Sequence, residues 1–303
     1  MRVLLTGGSG FLGKRMASYL IKKGVHVVCI GRNPCAVVGV QNIHVSALSP
    51  ALIESALKEN QVAIDALIHL AAAGVHPGDR DSATLFEINT LLPAQLVILG
   101  HHFGAKAIVM AGSSAEYKSP IMLHPCAEGE PLETEKLYGT TKAQGGLLAL
   151  SKGAELGIPV AWMRLFNVYG PHEASHRLLT SLVSRLLKKE LVKMSEGNQI
   201  RDFVYVDDVC DGLWVTLKAL SSGMPSGAYN ICTGIGKSVK DFALTVAHYL
   251  NADTHLLNFG ALPLRPDDAP YLVGDPARFK AASGWVASLS FEEGIKRALG
   301  VSS

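Results

Sequence analysis

Tyr138-Gly139-Thr140-Thr141-Lys142 sets a phenol and an ammonium four residues apart. On a helix these two side chains lie on one face, a turn apart. A free phenol has a pKa near ~10, and a neighbouring ammonium favours its ionised form, so the pair is suited to proton exchange with a hydroxyl or a carbonyl. Upstream, Gly112-Ser113-Ser114-Ala115-Glu116 follows the apolar run 107–111. A serine hydroxyl at a strand end is placed to donate a hydrogen bond to a substrate oxygen while the tyrosine moves the proton. Without Tyr138 and Lys142 the same residues would read as a serine-rich turn.

A second constellation stands at the N-terminus. In Thr6-Gly7-Gly8-Ser9-Gly10-Phe11-Leu12-Gly13 the glycines at 7, 10 and 13 have the spacing GxxGxxG. Such glycines allow a tight turn, close approach of backbone to a pyrophosphate, and close packing of helix on strand. The helix start, at Phe11 and Leu12, offers free N–H groups to the anion. Glycine-rich turns also occur for structural reasons alone, but this one lies between a strand and a helix, the setting of a dinucleotide site. Lys142 then gains a second use, holding the nicotinamide ribose. The second strand ends in Ile30-Gly31-Arg32-Asn33, with no carboxylate to accept the ribose hydroxyls of NAD. Arg32 would pair with the extra phosphate of NADP, which favours NADP(H) over NAD(H); otherwise it is an ordinary surface arginine. Lys14 and Arg15 either assist or face water.

The elements that position these groups follow the rhythm of a parallel sheet with crossover helices. Strands are expected at 3–5, 26–30, 66–71, 107–111 and 160–165, and helices at 13–23, 85–101 and 140–156. The fold class is α/β, a Rossmann-type doubly wound parallel sheet over residues 1–165. After about residue 166 helical and turn-rich pieces dominate, with isolated strands at 202–206 and 229–232. Residues 166–303 form a smaller α/β lobe, interleaved so that parts of 203–235 return to the first domain. There is no internal repeat or low-complexity segment.

Composition narrows the function classes. The 303 residues are 48% apolar, enough for a large core, and the formal net charge is only +2. No basic cluster marks a nucleic-acid surface. Cys29, Cys35, Cys126, Cys210 and Cys232 lack CxxC or Cys/His spacing, which argues against a disulfide framework or a zinc site and for a reducing compartment. No targeting segment precedes the glycine turn, and no run approaches the ~20 apolar residues of a membrane span. The expectation is a cytoplasmic protein with neither nucleic acid nor membrane as partner.

Six motifs now stand in order: TGGSGFLG, IHLAA at 68–72, GSSAE, YGTTK, RLFNVYGP at 164–171 and RDFVYVDDV at 201–209. From residue 1 to about 300 the chain resembles an extended short-chain dehydrogenase/reductase of the nucleotide-sugar epimerase, dehydratase and 4-ketoreductase group. The resemblance implies a small C-terminal lobe for a nucleoside-diphosphate sugar and a homodimer built through paired helices. It assigns catalysis to Ser114, Tyr138 and Lys142, with Ser113 and Glu116 beside the substrate. It adds Leu70, Ala71, Ala72 and Asn89 to the cofactor pocket. Asn167 and Arg201 fall where the substrate diphosphate is held, a dianion that wants an arginine fork and fixed amide donors. Arg265, in Leu264-Arg265-Pro266-Asp267-Asp268, matches a second arginine of that subsite. Two departures stand out: Ser46-Ala47-Leu48 replaces the acidic residue usual after the third strand, and Ser114-Ala115-Glu116-Tyr117-Lys118 is one residue shorter than the common serine-to-tyrosine spacing.

One scaffold hosts several reactions, so the fold does not choose among them. An epimerase recycles its cofactor within a turnover, whereas a reductase consumes NADPH. The Arg32 reading and the compact length therefore favour an NADP(H)-dependent reductase of a 4-keto-6-deoxy sugar nucleotide. The first alternative is a 4-epimerase with bound NAD. A 4,6-dehydratase needs an acidic pair after the active-site hydroxyl, but here Ala115 takes the first place and only Glu116 remains. A non-catalytic dinucleotide-binding regulator is the last alternative, and the intact Ser114, Tyr138 and Lys142 set argues against it.

Overall fold

Strands that are apolar from end to end must be covered on both faces, which a parallel sheet between two helical layers provides. The computed structural model describes residues 1–76, 78, 81–118, 123–264 and 268–301. Its strands are β1 (Arg2–Thr6), β2 (His26–Gly31), β3 (Gln41–His44), β4 (Ala66–His69), β5 (Ile108–Ser113), β6 (Val160–Leu165), β7 (Asn167–Tyr169), β8 (Val192–Lys193), β9 (Ile200–Tyr205), β10 (Gly227–Ile231), β11 (Gly236–Ser238), β12 (Leu257–Asn258) and β13 (Tyr271–Leu272). Seven of them form one sheet in the order β10-β6-β5-β4-β1-β2-β3, with every pairing parallel. The Rossmann-type expectation holds.

The helices are α1 (Phe11–Lys22), α2 (Pro50–Glu59), α3 (Ser82–Leu85), α4 (Leu92–His102), α5 (Leu137–Leu156), α6 (Leu178–Leu187), α7 (Val206–Ser221), α8 (Val239–Tyr249), α9 (Ala277–Ser283) and α10 (Phe291–Leu299). A π-helical turn at Phe86–Leu91 joins α3 to α4. One buried apolar layer gathers Met16, Leu20, Leu213 and Leu217 from α1 and α7. Another gathers Ile53, Leu57, Leu96 and Val97 from α2 and α4. The strand order reverses between β1 and β4, and ligands of open α/β sheets bind beyond the carboxyl ends of the strands at such a switch point.

Two sequence readings change. Residues 229–232, expected as an isolated strand, lie largely in β10, which pairs with β6 from Gly227↔Ala161 to Ile231↔Leu165 and completes the main sheet. The run Ser82–His102 is long and apolar enough to cross a membrane by length and composition, contrary to the expectation that no segment approaches this. Half of it is buried within the fold, the situation of a core helix, and the π turn within it packs against α5.

The second lobe is a small sheet, β11-β9-β13 with β7 also on β9. Helices α6, α8 and α10 cover it around Phe203, Phe242 and Ile295. Phe11, the first residue of α1, packs into this same cluster, so the glycine turn and the second lobe are in direct contact. All five cysteines are buried and unpaired.

Candidate active site

The glycine turn is shaped by its neighbour across the switch point. Gly7 has φ +74°, and a Cβ there would lie 2.6 Å from the Ala71 nitrogen and 2.7 Å from the Leu70 carbonyl carbon. A Cβ on Gly13 would lie 2.0 Å from the Gly7 oxygen, so α1 starts directly on the turn. Gly10 caps α1 with no side-chain hydrogen bond, which leaves the first N–H groups of the helix, from Phe11 to Gly13, to an external acceptor. A cradle that any Cβ would fill, facing a helix N-terminus, fits a dinucleotide pyrophosphate. Arg32 is exposed just beyond β2. Arg15 is not available to a phosphate, because its guanidinium pairs with Asp207 at the start of α7.

The ends of β1 and β4 are tied together beneath this turn. Thr6 Oγ1 lies 2.7 Å from His69 Nδ1 and accepts from the Ala71 N–H at 3.4 Å. Burial pushes His69 down to about 3, and the Lys142 charge acts in the same direction, so the imidazole is neutral. Beyond Leu70 and Ala72, Asn89 holds the backbone of Ala73 at both its N–H (2.9 Å) and its C=O (3.1 Å). Asn89 sits in the π turn, a distortion often found at functional sites. Leu70 and Ala71 thus lie against the glycine turn, and Asn89 holds the chain just beyond Ala72.

The helix carrying Tyr138 and Lys142 comes close because glycines let it. A Cβ on Gly139 would meet the Ala115 oxygen at 2.1 Å, and one on Gly145 the Asn89 oxygen at 1.9 Å. Tyr138, in the first turn of α5, is half-buried. Lys142 is 2% exposed and donates to the Ala111 carbonyl at 2.7 Å. Burial pulls its ammonium down to about 8, and the charge of Glu116 opposes this. Ser114, in the turn just after β5, is buried. The Ser113 hydroxyl accepts from the Ala115 N–H at 3.1 Å and so shapes the turn.

Glu116 does not face a substrate, which corrects the sequence reading. It has no exposed surface. Its carboxylate accepts from Trp162 Nε1 at 2.9 and 3.0 Å, from Arg164 Nε at 2.9 Å and from the Ser113 N–H at 2.7 Å. A buried carboxylate must be paired and fully hydrogen-bonded, and these donors turn it inward. Arg164 continues the network to the Tyr117 hydroxyl (3.0 Å), which donates to Asn230 of β10 at 2.6 Å.

On the second-lobe side Asn167 opens β7, and its buried Nδ2 has no partner among the described residues. An amide donor left unmade in a buried place fits a ligand acceptor. Arg201 is buried, donates to its neighbour's carbonyl at Ile200 (2.8 Å), and pairs with Asp268. Gln199 donates to the same Asp268 at 3.3 Å, and its own buried Oε1 is unpartnered. Arg265 lies outside the described residues. Sequence reasoning missed His69, Trp162, Gln199 and Asp268, although each stands inside or beside a motif. No group of three or more His, Cys, Asp and Glu capable of holding a metal occurs among the described residues.

Comparison with known proteins gives the family. Residues 3–232 match the model of the NAD dependent epimerase/dehydratase family. CDP-abequose synthase of Salmonella typhimurium is 27% identical over 302 residues, covering 98% of this chain and 97% of the relative. Among solved structures, MoeE5 in complex with UDP-glucose and NAD superposes with a TM-score of 0.87 at 26% identity, covering 99% of this chain and 98% of its own. The UDP-glucose 4-epimerase of Thermus thermophilus in complex with NAD gives a TM-score of 0.86 at 26% identity, with 99% and 98% covered. The fold and the match over residues 3–232 make this chain an enzyme of the extended short-chain dehydrogenase/reductase type, a member of the NAD dependent epimerase/dehydratase family.

Proposed function

We propose that the protein is an NADP(H)-dependent reductase of a 4-keto-6-deoxy sugar carried on a nucleoside diphosphate. The observation that carries this reading is the tip of β2, where exposed Arg32 stands and no carboxylate follows through Cys35. A guanidinium there favours a 2′-phosphate, and a phosphorylated cofactor suits net reduction rather than internal recycling. The inward-facing Glu116, with Ala115 beside it, supports the same choice. It leaves this turn without the acid and base that a 4,6-dehydratase uses.

In this reading Gly7, Gly10, Phe11, Leu12 and Gly13 hold the pyrophosphate, Leu70, Ala71 and Ala72 form the wall, and Asn89 braces it. The dinucleotide supplies the hydride. Tyr138 gives its hydroxyl proton to the substrate oxygen, and Ser114 donates a hydrogen bond to that oxygen as charge builds. Lys142 favours the tyrosinate that remains and binds the ribose. Asn167 and Arg201 hold the substrate diphosphate, with Arg201 exchanging Asp268 for the phosphate oxygens.

The second reading is a 4-epimerase with bound NAD. It is favoured by the structural likeness to MoeE5 in complex with UDP-glucose and NAD. Titration of NADPH and NADH by fluorescence, on the wild type and on Arg32→Ala, separates the two. Tighter NADPH binding that Arg32→Ala abolishes supports the reductase. Preference for NADH, or a protein purified with NAD in place, overturns it in favour of the epimerase.

The same reading includes a homodimer. Phe86, Leu91 and Ile98 on the π turn and α4, and Leu147 and Leu148 on α5, are all exposed on adjoining elements. Such a patch supports pairing with a second copy, which light scattering checks.

A further inference from the structure

Two glycines keep open a space behind Lys142. A Cβ on Gly112 of β5 would lie 2.4 Å from Trp162 Nε1 and 2.6 Å from Glu116 Oε1. A Cβ on Gly146 of α5 would lie 2.7 Å from the Trp162 ring. The indole of β6 fills this space, 1% exposed, with the Lys142 ammonium 4.8 Å from its ring centroid. Its N–H points to the Glu116 carboxylate, which Arg164 and the Ser113 N–H hold from two other directions.

We propose that Glu116 is a positioning residue, which fixes the Trp162 indole beneath the Lys142 ammonium and lends that ammonium its negative charge. The proposal rests on Tyr138 and Lys142 being the reacting pair. A lysine this buried is held charged only by what surrounds it. The ring face supplies cation–π attraction, the Ala111 carbonyl a hydrogen bond, and Glu116 an opposing charge against desolvation. Other titratable groups nearby are Arg164 of β6, which partners the carboxylate, neutral His69 of β4, and Tyr138 on the same helix. β5 and α3 carry no charged side chain, and Glu87, His101 and His102 of the π turn and α4 are exposed.

The test is the dependence of folding stability on pH. Lys142 titrates near 8 in the fold and near its ordinary 10.5 when unfolded. Between these values the unfolded chain holds a proton the native chain lacks, so stability rises with pH across that window. Lys142→Met lacks this rise, and the difference between it and the wild type isolates Lys142. In Glu116→Gln the rise is expected to begin about one pH unit lower, with kcat down roughly tenfold and KM for the sugar nucleotide unchanged. Glu116→Gln strands Arg164, so Glu116→Gln/Arg164→Met, which removes the buried pair together, guards against simple misfolding. Trp162→Phe keeps a ring under the ammonium but cuts the tie to Glu116. It is expected to lower kcat while leaving the onset of the rise in place.

A folded double variant with wild-type kcat and an unmoved onset overturns the proposal. If the wild type itself turns over no sugar nucleotide, the functional reading fails, and the onset of the stability rise alone upholds or overturns the coupling of Glu116 to Lys142.

Discussion

The two sides of the cleft are made of different material. On the dinucleotide side the surface is backbone: a turn with no side chains at 7, 10 and 13, a helix start with no side-chain cap, and the Leu70–Ala71 main chain pressed against Gly7. On the side proposed for the substrate it is side chains already holding one another, with Arg201 on Asp268, Gln199 on the same carboxylate, and the buried Asn167 amide without a partner among the described residues. In the proposed mechanism Tyr138, at the start of α5, acts between the two. A backbone site tolerates no added atom, whereas a side-chain site is reset by exchanging partners.

The contrast makes predictions that differ in size and kind. The largest effect is expected at the junction. Tyr138→Phe removes the proton but no binding surface, so kcat should fall by roughly 100- to 10,000-fold while dinucleotide affinity stays near wild type. Turnover kinetics beside a cofactor titration check this, and retained turnover refutes the proton-donor role. Next comes the backbone side. Gly13→Ala drives a methyl into the Gly7 carbonyl, and a cost of about 3 kcal/mol corresponds to roughly 100-fold weaker dinucleotide binding. Isothermal titration would break the comparison if affinity survived. The smallest effect belongs to the side-chain side. Arg201→Gln loses charge-assisted bonds of about 1.5–3 kcal/mol, raising KM for the sugar nucleotide roughly 10- to 100-fold with the cofactor Kd unchanged. A change confined to the cofactor Kd would place Arg201 on the wrong side of the cleft.

What the sequence made legible divides along the same line. A glycine turn is announced by its own spacing, since Gly10 and Gly13 both answer to Gly7 a few residues away, although what Gly7 itself meets, Leu70 and Ala71, lies far along the chain. The pair Tyr138 and Lys142 is equally local, one helical turn apart. Glu116 was misread because its environment is not local: Trp162 and Arg164 stand 46 and 48 residues downstream. A lone glutamate after a serine turn looks solvated until those donors are in view. Asp268 escaped notice for the same reason, lying 67 residues from Arg201. β10 was seen as a strand but left without a partner, because five residues of pattern do not say which neighbour they pair with.

That last strand has a consequence for how the chain comes into being. Until Gly227–Ile231 emerges from the ribosome, β6 is the raw edge of the first sheet, with its outward hydrogen-bonding groups unmet. By then β7 and β9 of the other lobe have already been made. Neither lobe is finished before the other has begun, and Asn230 carries the buried polar chain from Tyr117 into that final strand. The two lobes are therefore partners in assembly. A chain cut near residue 166 is expected to leave a sticky edge rather than a free-standing dinucleotide domain.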